Sequence, residues 1–148
     1  MASTLTPTTF KIQIIEEQVI RNNVLKNEIT HTINNVTNVD RRIVTCPQTT
    51  SIDLINFSAV NPGAGTFPSS SIQYVRLTNL DNNNSLAVTF SGSQGEFTQE
   101  VTPTNTIFVT SPQITSSNFN GSFGDNIESI LVYALDSNID VEFTIINA

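Results

Sequence analysis

The stretch Ile72-Gln73-Tyr74-Val75-Arg76-Leu77-Thr78-Asn79-Leu80-Asp81-Asn82-Asn83-Asn84-Ser85-Leu86-Ala87-Val88-Thr89-Phe90 decides the fold. Its first nine residues are nearly continuous in strand formers. That is the pattern of a central strand covered on both faces. Residues 81–84 form a turn, because Asp and Asn tolerate left-handed backbone and hydrogen-bond their own main chain. Leu86, Val88 and Phe90 then alternate with Ala87 and Thr89, as in a strand with one face in a core.

The same grammar extends in both directions. Toward the C-terminus, residues 91–95 read as a second turn, and Phe97 and Val101 mark a strand ending at Pro103. Residues 106–110 form a further strand that Pro112 stops. Residues 113–126, with Gly121 and Gly124, read as a long polar loop. Residues 129–135 and 139–146 read as a closing hairpin across 136–138, with Ile139, Val141, Phe143 and Ile145 on one side. Toward the N-terminus, residues 61–71 carry Pro62, Gly63, Gly65 and Pro68 and read as a loop. Residues 52–57 are apolar at 52 and 54, then at 55 and 57, a one-residue phase shift that predicts a bulge or a twist of the strand. Residues 41–46 are a short β-branched stretch closed by Pro47. Ile29, His31 and Ile33 alternate with polar neighbours until residues 34–38 interrupt them. Phe10, Ile12 and Ile14 alternate with Lys11 and Gln13, and the alternation breaks at Ile15. Ile15, Val19, Ile20, Val24 and Leu25 recur nearer every five residues than every 3.6, so two strands joined near 21–23 are preferred to a helix.

About eight or nine short strands with turns every eight to twelve residues predict an all-β fold, an antiparallel β-sandwich of jelly-roll type. Residues 1–9, polar and carrying Pro7, read as a flexible N-terminal arm. Residues 10–148 read as a single domain.

Composition narrows function by exclusion. The 148 residues carry 13 acidic and 6 basic side chains, a net charge of -7. The basic residues never cluster beyond the pair Arg41-Arg42, which argues against nucleic-acid binding, since that requires a basic stripe over phosphates. Charged residues are 13% of the chain, about half the usual quarter. In their place stand 15 Ser, 20 Thr and 18 Asn. No apolar run approaches the ~20 residues of a membrane span, and no signal-peptide core is visible. With one cysteine, Cys46, no internal disulfide is expected, and with one histidine, His31, no Cys/His metal cluster.

Residue chemistry offers no active site. His31 shares a strand face with Ile29 and Ile33, and nothing places a nucleophile or carboxylate beside it. Cys46 reads as a buried apolar thiol. Asp136 and Asp140 flank a turn. Loop oxygens at 81–84 or 125–126 match no calcium-loop pattern. Gly63 and Gly65, like Gly121 and Gly124, lack the strand–turn–helix setting of a phosphate cradle. Sequons begin at Asn35, Asn56, Asn83 and Asn120, about the number that this composition yields by chance. Nine Phe, two Tyr and no Trp count against sugar stacking. No catalytic residue, cofactor or metal is therefore expected.

Three stretches, Val39-Asp40-Arg41-Arg42-Ile43-Val44-Thr45 followed by residues 52–57, then Tyr74-Val75-Arg76-Leu77-Thr78-Asn79-Leu80-Asp81, and the terminal Asn138-Ile139-Asp140-Val141-Glu142-Phe143, together resemble small structural proteins of tailed-bacteriophage virions. The resemblance covers about residues 39–148. A Pro-Gly turn expected before the penultimate strands is replaced here by Pro103-Thr104-Asn105, and residues 10–38 have no counterpart. The resemblance implies a non-enzymatic capsid decoration (cement) protein in the virion, assembled in the host cytoplasm. Its partners would be the major capsid protein or other virion subunits, and copies of itself in a homo-oligomer or lattice. A tail, neck or fibre component, or a carbohydrate-binding adhesin module, is the alternative. Neither nucleic acid nor membrane is an expected partner. On polarity and length, the contact residues expected are Thr4, Thr6 and Pro7 in the arm, Pro62, Gly63 and Phe67 in one loop, and Phe119 and Phe123 in the other.

Overall fold

A computed structural model describes residues 6, 8–57, 66–67, 72–92, 95–109, 115–116 and 125–148. The chain divides into two compact units, residues 1–38 together with Ala148, and residues 39–147. The boundary falls inside the stretch read from sequence as one domain.

The first unit is a ribbon of two long strands, β1 (Thr8–Ile20) and β2 (Asn23–Val36). They pair antiparallel in one register from Phe10↔Ile33 to Ile20↔Asn23, as the preference for two strands over a helix anticipated. Arg21 and Asn22 form the two-residue link, both with positive φ, 49° and 65°. Two positive φ values mark the turn whose twist matches that of the flanking strands. At the open end one extra residue of β2 intervenes between Thr8↔Val36 and Phe10↔Ile33. Asn35, at φ 59°, absorbs that bulge, in the stretch where the sequence pattern is interrupted.

The second unit is a sandwich. Its strands are β3 (Asn38–Cys46), β4 (Ser51–Phe57), β5 (Thr66–Phe67), β6 (Ile72–Asn79), β7 (Leu86–Gly92), β8 (Gly95–Val101), β9 (Thr106–Val109), β10 (Thr115–Ser116), β11 (Asp125–Ala134) and β12 (Ile139–Asn147). One sheet runs β3-β12-β6-β9. The other runs β5-β4-β11-β7-β8, with β10 paired to β11. Setting aside the two-residue strands β5 and β10, eight strands remain. Renumbered within the unit, they lie in the orders first-eighth-third-sixth and second-seventh-fourth-fifth. That is the jelly-roll arrangement of two four-stranded sheets. Between the sheets, Val75, Leu77, Val141, Phe143 and Ile145 of one meet Ile55, Leu86, Val88, Ile130 and Val132 of the other, all at most 1% exposed. The alternation that made 86–90 and 139–145 recognisable supplies this core. The phase shift at 52–57 is a bulge: the β4–β11 register slips between Ile130↔Ile55 and Leu131↔Asp53. It lets Leu54 and Ile55, adjacent in sequence, both enter the core.

Three expectations are corrected. Strands β11 and β12 do not form a closing hairpin, because they belong to different sheets. Residues 135–138 span the end of the sandwich instead, and four residues reach ~13 Å against a sheet separation of ~10 Å. The supposed loop 61–71 contains β5, which pairs parallel with β4 and inserts Phe67 into the core at 5% exposure. Within 113–126, β10 and the first two residues of β11 pair antiparallel. The remainder of both stretches, and the arm apart from Thr6 and residues 8–9, lie outside the described residues.

Candidate interaction surface

The ribbon presents an unusual surface. Side chains alternate across its two faces, and cross-strand partners share a face. Phe10, Ile12, Ile14, Glu16, Gln18 and Ile20 face one way with Ile33, His31, Ile29, Asn27, Leu25 and Asn23 opposite them. The other face carries Lys11, Gln13, Ile15, Glu17 and Val19 against Thr32, Thr30, Glu28, Lys26 and Val24. Apolar residues thus occupy both faces. Ile15 (52%), Val19 (63%), Ile20 (45%), Val24 (60%), Leu25 (57%) and Ile29 (41%) are all exposed. Half of the large apolar side chains exposed among the described residues therefore lie in the 29 residues of the ribbon. Polar pairs cross it too: the Gln13 amide donates to Glu28, and Asn27 Nδ2 donates to Glu16 Oε2 at 3.1 Å. The ribbon carries Lys11, Arg21 and Lys26 against Glu16, Glu17 and Glu28, so it is neutral, and the whole net charge of -7 belongs to residues 39–148.

A second feature lies on the β3-β12-β6-β9 sheet. Glu142, with a side chain 11% exposed, accepts from Arg41 Nη2 at 2.5 Å and from Arg76 Nη2. Arg76 Nη2 also donates to Thr144 Oγ1 at 3.3 Å, while Arg76 Nε is buried with no hydrogen-bond partner among the described residues. Nearby, Thr45 Oγ1 donates to Asp140 Oδ1 at 2.6 Å. The three stretches that carry the sequence resemblance therefore converge, Arg41 from the first, Arg76 from the second and Glu142 from the third. The Thr78-Asn79-Leu80-Asp81 segment builds a corner. Asn79, 1% exposed, donates from Nδ2 to the carbonyls of Asn84 (2.9 Å) and Val101 (3.0 Å), and its Oδ1 accepts from the Asp81 N–H at 2.9 Å. Asp81 Oδ1 accepts from the N–H groups of Asn83 and Asn84, both at 2.7 Å. Those backbone donors hold its carboxyl below the usual carboxylate range.

The titratable candidates fall into structural settings. His31 is exposed on the ribbon opposite Ile12. Cys46 is fully buried, its Sγ 3.6 Å from the Val132 carbonyl oxygen, and burial pushes its thiol pKa up. Burial likewise raises Tyr74, opposed by the charge of Arg76. No group of three or more His, Cys, Asp or Glu able to hold a metal occurs among the described residues. Of the expected contact residues, Thr6 is exposed and Phe67 is buried in the core, so the Phe67 ring serves the sandwich. Thr4, Pro7, Pro62, Gly63, Phe119 and Phe123 lie outside the described residues. The ribbon's apolar residues were not among those expected contacts. The signal for them was present, since a strand pattern whose apolar residues occupy both faces has no buried face of its own.

Comparison with family models, curated proteins and solved structures finds no match. The likeness to phage virion proteins rests on the residues quoted for it.

Proposed function

We propose that this chain is a non-enzymatic structural protein of a bacteriophage particle, a capsid decoration (cement) protein that holds neighbouring subunits together. The observation that carries the reading is the ribbon. A two-stranded hairpin is marginal in water on its own, and one that exposes six large apolar side chains is built to be covered by another surface. The second unit is a jelly roll, an architecture that serves capsid and lectin domains alike. The chain is rich in Ser, Thr and Asn, with charged residues at only 13% of its length, and the repulsion from its net charge of -7 is screened at ordinary ionic strength. The resemblance supplies the particle as the setting, with the major capsid protein as the partner for the body. The test is the protein content of particles banded on a density gradient from the culture that produces this chain. The expected result is this chain in the particle band at a constant ratio to the main shell subunit. Its presence in the soluble fraction alone overturns the reading.

A further inference from the structure

The outer edges of the ribbon point to its partner. Among the described residues β1 and β2 form a two-stranded sheet, so β2, 14 residues long, has one edge with no partner strand among them. Proteins normally blunt such an edge with proline, clustered lysine, bulges or a covering element. The ribbon holds no proline and two lysines, and its bulge sits at the open end, leaving residues 10–33 in one register. The β2 sequence is complementary to itself. About a two-fold axis at Asn27, antiparallel pairing of two β2 edges sets Lys26 opposite Glu28 twice, Leu25 opposite Ile29 twice, and Val24 opposite Thr30 twice. Opposite charges and apolar pairs are the combinations that stabilise directly opposed positions. The pairing turns two strands into four, past the threshold of about three at which a sheet becomes stable in water. The ribbon's neutrality disfavours a strongly charged partner and permits a copy of itself.

We propose that β2 pairs edge to edge with β2 of a second copy of this chain, antiparallel about Asn27, to form a continuous four-stranded sheet β1-β2-β2-β1. This deepens the reading of the ribbon as an assembly element by naming its partner.

The test uses the full chain. In such a dimer two Asn27 residues face each other with Cα atoms ~4.5–5.5 Å apart, within disulfide range. Asn27→Cys in a glutathione redox buffer is therefore expected to give nearly complete covalent dimer. Cys46, fully buried, does not compete. Gln18→Cys, on the β1 strand, is expected to give little. Light scattering of the unmodified chain is expected to give twice, or an even multiple of, the 16.2 kDa chain mass. A 16.2 kDa species at ~100 μM, or equal cross-linking from positions 18 and 27, overturns the proposal. Hydrogen exchange of unmodified protein covers the case of a variant that misfolds. Outward-facing β2 amides should be protected at high concentration and lose protection on dilution, and exchange that ignores concentration overturns the pairing. These readouts are made on purified chain. A dimer absent from particles defeats the proposed function alone, and a particle component with unpaired ribbons defeats only this inference.

Discussion

At the scale of single residues, two buried polar side chains carry more than the ionisable groups a catalytic reading would seek. Asn79 satisfies two backbone carbonyls and one N–H at the corner between β6, β7 and β8. Truncation by Asn79→Ala removes the partner of all three groups, of which the Val101 carbonyl is buried, and unsatisfied buried groups cost ~1–3 kcal/mol each before relaxation. We expect a loss of about 3 kcal/mol in urea unfolding at unchanged m-value. Glu142 is the common acceptor for two arginines of unequal burial, Arg76 33% and Arg41 65% exposed at the side chain. Arg41→Ala should therefore cost under about 1 kcal/mol, as for other exposed pairs. Glu142→Ala strands the half-buried Arg76 guanidinium and should cost about 2 kcal/mol. Equal losses from the two substitutions would show that Arg76 is adequately solvated. Asp81 adds a pH dependence of defined sign. Its folded pKa is depressed by the N–H groups of Asn83 and Asn84. Its contribution is thus complete above the ordinary carboxylate pKa of about 4, and it is lost as pH falls through the lower folded value. Asp81→Asn keeps an acceptor oxygen but removes the titration, so its melting temperature should fall less steeply below pH 4 than that of the unmodified protein.

At the scale of elements, the ribbon's turn is the weakest local fit. Arg21 sits at φ 49°, a conformation that costs a residue with a Cβ ~1 kcal/mol and that two-residue hairpin turns assign to Asn-Gly. The double substitution Arg21→Asn with Asn22→Gly should slow amide exchange across β1 and β2 about five-fold, while leaving the sandwich amides unchanged. An unchanged ribbon would place its limiting opening away from the turn. The elements also differ in how far they could be read from sequence, for physical reasons. Strands β6, β7 and β12 were legible because burial between two sheets forces alternating or continuous apolar residues. The β4 bulge was legible because an inserted residue reverses the phase of that alternation. The β11–β12 link was misread because a turn-like tetrapeptide can close a hairpin or cross between sheets, and only the pairing decides which. Strands β5 and β10 are two residues long, too short for any periodicity. The ribbon's strands were legible but its role as a surface was not. Past Ile14 its apolar residues change faces, and a reading that seeks one buried face takes that change as a break.

At the scale of the whole molecule, charge is segregated. The neutral ribbon and a body carrying all of the net -7 make association a contest between short-range pairing and long-range repulsion. Each copy brought to a dimer adds seven negative charges opposite seven others. At 10 mM salt the screening length is ~30 Å, so charges on two associating copies act on one another well beyond direct contact. At 150 mM it is ~8 Å, and the long-range part of that repulsion is largely screened. The Lys26 and Glu28 pairs in a β2–β2 edge are also weakened by salt, but exposed pairs contribute only ~0.2–1 kcal/mol each, while the edge hydrogen bonds and the Leu25–Ile29 contacts are indifferent to ionic strength at this level. Repulsion is therefore the larger salt-sensitive effect, and self-association should tighten several-fold between 10 and 150 mM NaCl at pH 7. Sedimentation equilibrium across that range measures it. Weakening with salt instead would mean that the Lys26–Glu28 pairs contribute more to the contact than the repulsion between copies of net charge -7 takes away.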